Sequence, residues 1–249
     1  MLMPFDAYGC SGLAPLFAFQ PFAGRPLLIG NLNAEWCSMR AWIIASLAVP
    51  GVIAAQQDPP PSAPPPTNLS RADEIRYARS AAPEEISKGA KIWVLESGHY
   101  RVAEQGTGAV ACMVLRSTAT SFEPQCGDME ADETVLAIDR FRTEQRIAGK
   151  APDAIKAEVD DCLASGRFRS PTRPALVYML SSSQVLVDSK GNASRFMPHL
   201  MIYYPGMKSD AMGLIASKSV DIPGVAREGT PLSALIVIAR DWVDPAKTP

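Results

Sequence analysis

The side chains able to do chemistry are few: two histidines, five cysteines and several runs of acids. Cys112 and Cys126 enclose a loop of thirteen residues. In an oxidising compartment that pair reads as a structural disulfide, and closing such a loop stabilises by roughly 3 kcal/mol. The close Cys-x-x-Cys spacing of a redox-active pair is missing. Cys162 is left over. It shares an apolar helical stripe with Ile155, Val159 and Leu163. That makes it a buried thiol rather than a nucleophile, which needs a base beside it.

His199 stands in "MPHLMIYYPG", at the start of a strongly apolar run. Two readings stay open for it: a buried histidine bonded to backbone, or a ligand contact or acid/base group. His199, Tyr203 and Tyr204 are the candidate ligand-binding residues, and His199 is also the candidate catalytic group. His99 falls at a turn and is expected to be exposed.

Two histidines without ordered carboxylate or cysteine spacing make no zinc signature. The stretch "DMEADETVLAID" spaces Asp128, Glu130, Asp132 and Asp139 like positions 1, 3, 5 and 12 of a calcium loop. Glu133 stands where such a loop needs glycine, and the last ligand is Asp rather than bidentate Glu. The segment reads as an acid-rich helix start favoured by the macrodipole. There is no Gly-x-Ser-x-Gly elbow, phosphate loop, dinucleotide fingerprint or Ser-x-x-Lys motif. Neither a metal nor a cofactor is expected.

The elements that must position these residues follow from periodicity. Ser70 and Asp73 mark a helix start before "RADEIRYAR", with Ile75, Ala78 and Ala82 on one face and Pro83 ending it. "PEEISKG" adds one more turn closed by Gly89. "AKIWVLE", "HYRVAE" and "AVACMVLR", separated by Ser97-Gly98 and by "GTG", predict a three-stranded antiparallel meander. Two helices follow, one over Asp132 to Gly149 and one opened by Pro152 and ending near Gly166. "ALVYML", "QVLVDSKGNAS", "HLMIYYP" and "SALIVIAR" are short β-rich runs bounded by turn residues. The fold class is therefore α+β: a mainly antiparallel sheet with an N-terminal helix and a central helical insert.

Upstream, "MRAWIIASLAVPGVIAAQQ" has the parts of an export signal. Arg40 supplies the charge, Ala41 to Val49 the apolar run, Pro50-Gly51 the break, and Ala54 or Ala55 the residue before the cut. The run is too short to span a hydrocarbon core about 30 Å thick, so no membrane anchor remains after cleavage. Residues 1–38 lack sustained periodicity and read as an upstream mis-start or extension. The expected organisation is thus 1–38 appended, 39–55 signal peptide, 56–69 a proline-rich linker through "DPPPSAPPPTN", and 70–245 one α+β domain. A periplasmic or secreted location follows. The formal net charge of -2 supplies no basic field, which argues against nucleic acid as a partner.

"SAAPEEI", "GTGAVAC", "PQCGD", "YML" and "PHLM", in that order over residues 71–205, give a further lead. The chain resembles a group of uncharacterised secreted bacterial proteins. They carry an Ala-Pro helix end, a Gly-Thr-Asn-Gly turn, two cysteines and a Pro-His-x-Met strand. Here Gly108 replaces the usual Asn and Ala109 the usual Gly. The resemblance implies export and kinship of fold.

Three functional expectations result. The first is a non-enzymatic exported domain binding a small ligand or an envelope partner around His199. The second is an envelope hydrolase or isomerase with His199 as its acid/base group. The third is a structural protein with a large apolar face for an assembly partner.

Overall fold

The computed structural model describes residues 69–187, 191–194, 196–215 and 222–248. The chain divides into two units, Met1–Ala55 and Gln56–Pro249. The appended stretch 1–38, the signal-like stretch 39–55 and most of the linker 56–69 lie outside the described residues.

The first helix, α1 (Arg71–Arg79), starts as its sequence directs: the Asp73 amide donates to Ser70 Oγ at 3.1 Å. The Ser70 hydroxyl in turn donates to the Asp73 carboxylate at 2.7 Å. A single turn, α2 (Glu84–Ser87), follows Pro83. Strands β1 (Lys91–Glu96) and β2 (His99–Glu104) form a hairpin through Ser97 and Gly98, whose φ values of 49° and 84° suit a tight two-residue turn.

The expected meander is corrected at its third strand. β3 (Val110–Leu115) pairs with β1, in parallel, and not with β2. Burial decides this: every residue of β3 is buried, whereas β2 exposes His99 and Arg101 and suits an edge. The "GTG" segment is consequently a strap under the start of β1, with Thr107 and Gly108 amides both donating to Gly89 O at 2.9 and 2.7 Å. Gly106, at φ 68°, lies so close that an added Cβ would sit 2.4 Å from Lys91 N.

β4 (Glu123–Asp128) pairs antiparallel with β3, and Cys112 and Cys126 face each other there in a disulfide with Cα atoms 4.0 Å apart. β4 is a strand not expected from sequence, and it carries Pro124 and Gly127, residues that weaken a central strand. Pro124 is tolerated because it opposes Val114 in a non-hydrogen-bonded pair, and β5 meets β4 only at Cys126 and Gly127. Beyond that point Leu180 N donates to Ala81 O at 3.0 Å.

Next come α3 (Met129–Glu133), α4 (Val135–Ile147) and α5 (Pro152–Ala164). The helix expected over Asp132 to Gly149 is broken at Thr134, where φ and ψ reach -120° and -90° and the side chain donates to Glu130 O at 2.5 Å. β5 (Ala175–Met179), a small hairpin of β6 (Leu186–Val187) and β7 (Ala193–Ser194), β8 (His199–Tyr203), β9 (Gly224–Ala226) and β10 (Ala234–Ile238) complete the chain.

The main sheet runs β2-β1-β3-β4-β5-β8-β10-β9, antiparallel at every neighbour except β1 and β3. The fold is α+β. Alternation along β3 divides the core in two: Cys112 and Val114 pack with Ala78 of α1, while Met113 and Leu115 pack with Leu136 and Ile138 of α4. Gly127 lets α3 and α4 approach, since a Cβ there would lie 2.7 Å from Ala131 Cβ and 2.8 Å from Leu136 Cδ1.

Charged groups fasten the helices to this sheet. Buried Glu74 takes a bidentate grip from Arg116 at 2.8 and 2.7 Å. Asp132 accepts from Lys91 Nζ, Trp93 Nε1 and Arg140 Nη1 at 3.0, 3.0 and 2.7 Å.

Candidate functional site: a cavity on the helix-bearing face

A cavity of about 440 Å³ opens on the face that carries α4. Strand register assembles its floor. Glu123 and Gln125 stand two residues apart on β4, opposite Leu115 and Met113 of β3. His199 of β8 lies between Met179 of β5 and Ile238 of β10, and Tyr203 lies between Ala175 and Ala234. Leu115, Met179, Met201 and Ile236 give the floor its apolar character, with Leu186 and Phe196 at the side. Asp139 and Arg142, one turn apart on α4, form the wall and pair at 3.1 Å. Arg227 stands at the rim, its guanidinium 5.4 Å from the Tyr203 ring centre. Its φ of 52° is rare for a side-chain-bearing residue.

Glu123 is buried, and burial pushes its carboxyl up to about 6. Hydroxyl donors from Ser117 and Ser121 act the other way, and the charge of Asp139 adds to the rise. The Ser117 hydroxyl donates to Glu123 Oε1. No cation pairs with this carboxylate among the described residues. Its neighbour Gln125 is only 4% exposed, yet its Oε1 has no hydrogen-bond partner. A buried amide oxygen left without a donor costs about 1–3 kcal/mol.

His199 is 3% exposed, and its Nδ1 lies 2.8 Å from Met197 O. That carbonyl can only accept, so Nδ1 carries the proton and Nε2 is the acceptor. Burial holds the ring below its ordinary pKa, so it is neutral at pH 7. Phe196 packs edge-on against it, centroids 4.9 Å apart. The Tyr203 hydroxyl donates to Met201 Sδ at 3.4 Å, and burial pushes its pKa up to about 12.

Of the residues nominated from sequence, His199 and Tyr203 line the cavity, whereas Tyr204 is 45% exposed and does not. His99 is exposed at the start of β2, 3.5 Å from Glu144. Cys162 is buried and accepts from Arg167 Nη2 at 2.7 Å. The acids of the calcium-like stretch face different partners. Asp128 caps α3 through Ala131 N at 2.8 Å, and Asp132 holds Lys91 and Arg140. Burial acts to raise Glu130, but the Thr172 amide and the Arg169 and Arg173 guanidiniums outweigh it and hold the carboxyl down to about 2. Among the described residues no group of three or more His, Cys, Asp or Glu could hold a metal ion.

Glu123, Gln125, Arg142 and Arg227 are site residues that sequence reasoning did not single out, and Asp139, weighed there only as a calcium-loop position, joins them. A polar face on one side of a buried strand, Glu123 and Gln125 against Pro124 and Cys126, was the available signal. A wider depression of about 650 Å³ beside Lys208, Asp210 and Ile222 gathers no buried titratable group among the described residues. Comparison with known protein families, curated proteins and solved structures returns no match.

Proposed function

We propose that this chain is an exported, non-enzymatic domain that binds a small ligand in the cavity between α4 and the sheet. The observation that carries the reading is Gln125: a buried amide with a partnerless oxygen, set beside a carboxylate on the part-apolar floor of a cavity. Export is supported by the signal-like stretch at 39–55 together with the Cys112–Cys126 disulfide, which persists in oxidising compartments. Among the described residues no helix is long and apolar enough to cross a membrane.

A second reading, an envelope hydrolase or isomerase, draws on Glu123. A carboxyl held near 6 in a cavity that Asp139 also lines suits general acid/base work. His199 fits that role less well than Glu123, because the hydrogen bond recorded for its ring goes to a backbone carbonyl. Exposed large apolar residues among those described are Ile147, Tyr204, Met212 and Ile215, which supports binding inside the cavity more than an extended apolar face for an assembly partner.

Native mass spectrometry of the full chain recovered from the periplasm tests the proposal. The expected species begins at Ala55 or Gln56, has one alkylatable thiol, and carries a small-molecule adduct that Met201→Trp removes. A chain that retains Met39 to Ala54 contradicts export. An adduct that Met201→Trp leaves untouched contradicts the cavity as its site.

A further inference from the structure

A smaller hollow of about 190 Å³ adjoins the cavity: Ser117 and Arg142 line both, and Arg146, Ile155 and Lys156 belong to the smaller one. Among the described residues the cations that line the two, Arg142, Arg146, Lys156 and Arg227, outnumber the acids, Glu123 and Asp139. Arg142 and Arg146 stand one turn apart on α4, an arrangement in which like charges repel. Lys156 adds a positive charge from α5.

The partners of these cations differ. Arg142 pairs with Asp139 at 3.1 Å, and exposed Lys156 with Asp160 at 2.6 Å. Arg146 has no carboxylate partner among the described residues. Its Nε and Nη2 donate to Arg116 O at 3.3 and 3.1 Å, and the Arg116 guanidinium is itself held by Glu74. Burial, and after it the charge of Arg116, work against the charged form of Arg146. An arginine nevertheless stays charged at any physiological pH, so this half-buried guanidinium is left without a counter-ion beside an apolar floor.

We infer, resting on the binding reading above, that the ligand is a small amphipathic anion, its carboxylate, sulfate or phosphate head held by Arg146 and Arg142 in the smaller hollow and its hydrocarbon body on Leu115, Met179 and Met201 of the cavity floor. The head supplies the counter-ion that Arg146 lacks, through charge-assisted hydrogen bonds to a planar donor fork. Arg227 at the rim adds a positive charge at the mouth.

The two acids do not act on such a ligand as free charges. Asp139 is the partner of Arg142. Glu123 already accepts from the Ser117 hydroxyl and amide and from the Ser121 hydroxyl, and burial pushes it up to about 6. An anion nearby raises it further, toward its neutral form.

Calorimetric titration of the full chain at low ionic strength, with octyl sulfate, octanoate, octanol and octylammonium as probes, reads this out. Both anions are expected to bind at least about tenfold more tightly than octanol, and octylammonium no more tightly than octanol. Arg146→Met should lower the ratio of octyl sulfate to octanol affinity about tenfold. Because Arg146 also bonds to Arg116 O, Lys156→Ala, which removes an exposed side chain, is the second variant and should lower that ratio about threefold. Octanol or octylammonium binding as tightly as octyl sulfate, or a ratio that neither variant lowers, overturns the anion inference and leaves the cavity a binding site. Absence of binding by all four probes overturns the binding reading as well.

Discussion

Cys112 and Cys126 stand directly opposite each other on β3 and β4, bridged at the centre of the sheet and facing α1. The bridge ties the two strands whose polar and apolar residues form the cavity floor on the other face. Replacing both cysteines by alanine should lower the unfolding free energy by about 3 kcal/mol. Urea denaturation should register it as a lower midpoint, and an unchanged midpoint would leave the bridge without a stabilising role.

Glu123 gives stability a pH dependence of known sign. Its folded pKa, about 6, lies above the ordinary 4.5. The folded state therefore holds the proton more tightly, and this contribution is fully present below pH 4.5 and lost as pH rises through 6. The difference amounts to about 2 kcal/mol. Glu123→Gln should remove it, so the gap between variant and wild-type stability should widen by that amount from pH 4 to pH 7.

Asp132 holds three donors from β1 and α4 while almost wholly buried. Asp132→Ala leaves Arg140 and Lys91 stacked on the Trp93 ring with no carboxylate, and should cost about 3 kcal/mol. Asp160→Ala, which removes an exposed partner of Lys156, should cost under about 1 kcal/mol. Chemical denaturation of the two variants side by side checks the contrast.

Gly127→Ala forces a methyl against Ala131 and Leu136 where the gap is below 3 Å. A loss of about 2 kcal/mol is expected. Calorimetric melting should show it, and a neutral result would mean that α3 and α4 can shift without penalty.

Most helices were legible because apolar spacing and caps agree: Ser70 with Asp73, and Pro152 with Ile155, Val159 and Cys162. The hairpin at Ser97-Gly98 was legible for the same local reason. What the sequence concealed was non-local. Nothing near "GTG" says that the chain straps beneath β1 so that all-buried β3 can reach the interior. β4 escaped because its Pro124 and Gly127 look like turn residues, and only the register against β3 explains why they are harmless. The site divided along the same line. His199 and Tyr203 stand on an apolar run that draws the eye, whereas Glu123 and Gln125 meet them only after β4 and β8 settle on either side of β5.

The central claim is that Gln125 is kept for a ligand and not for the fold. Gln125→Leu keeps the side chain's size and removes its buried, partnerless amide, so the unliganded protein should become more stable by about 1 kcal/mol in urea denaturation. A variant less stable than wild type would mean that the amide serves the fold, and would contradict the cavity as a built binding site.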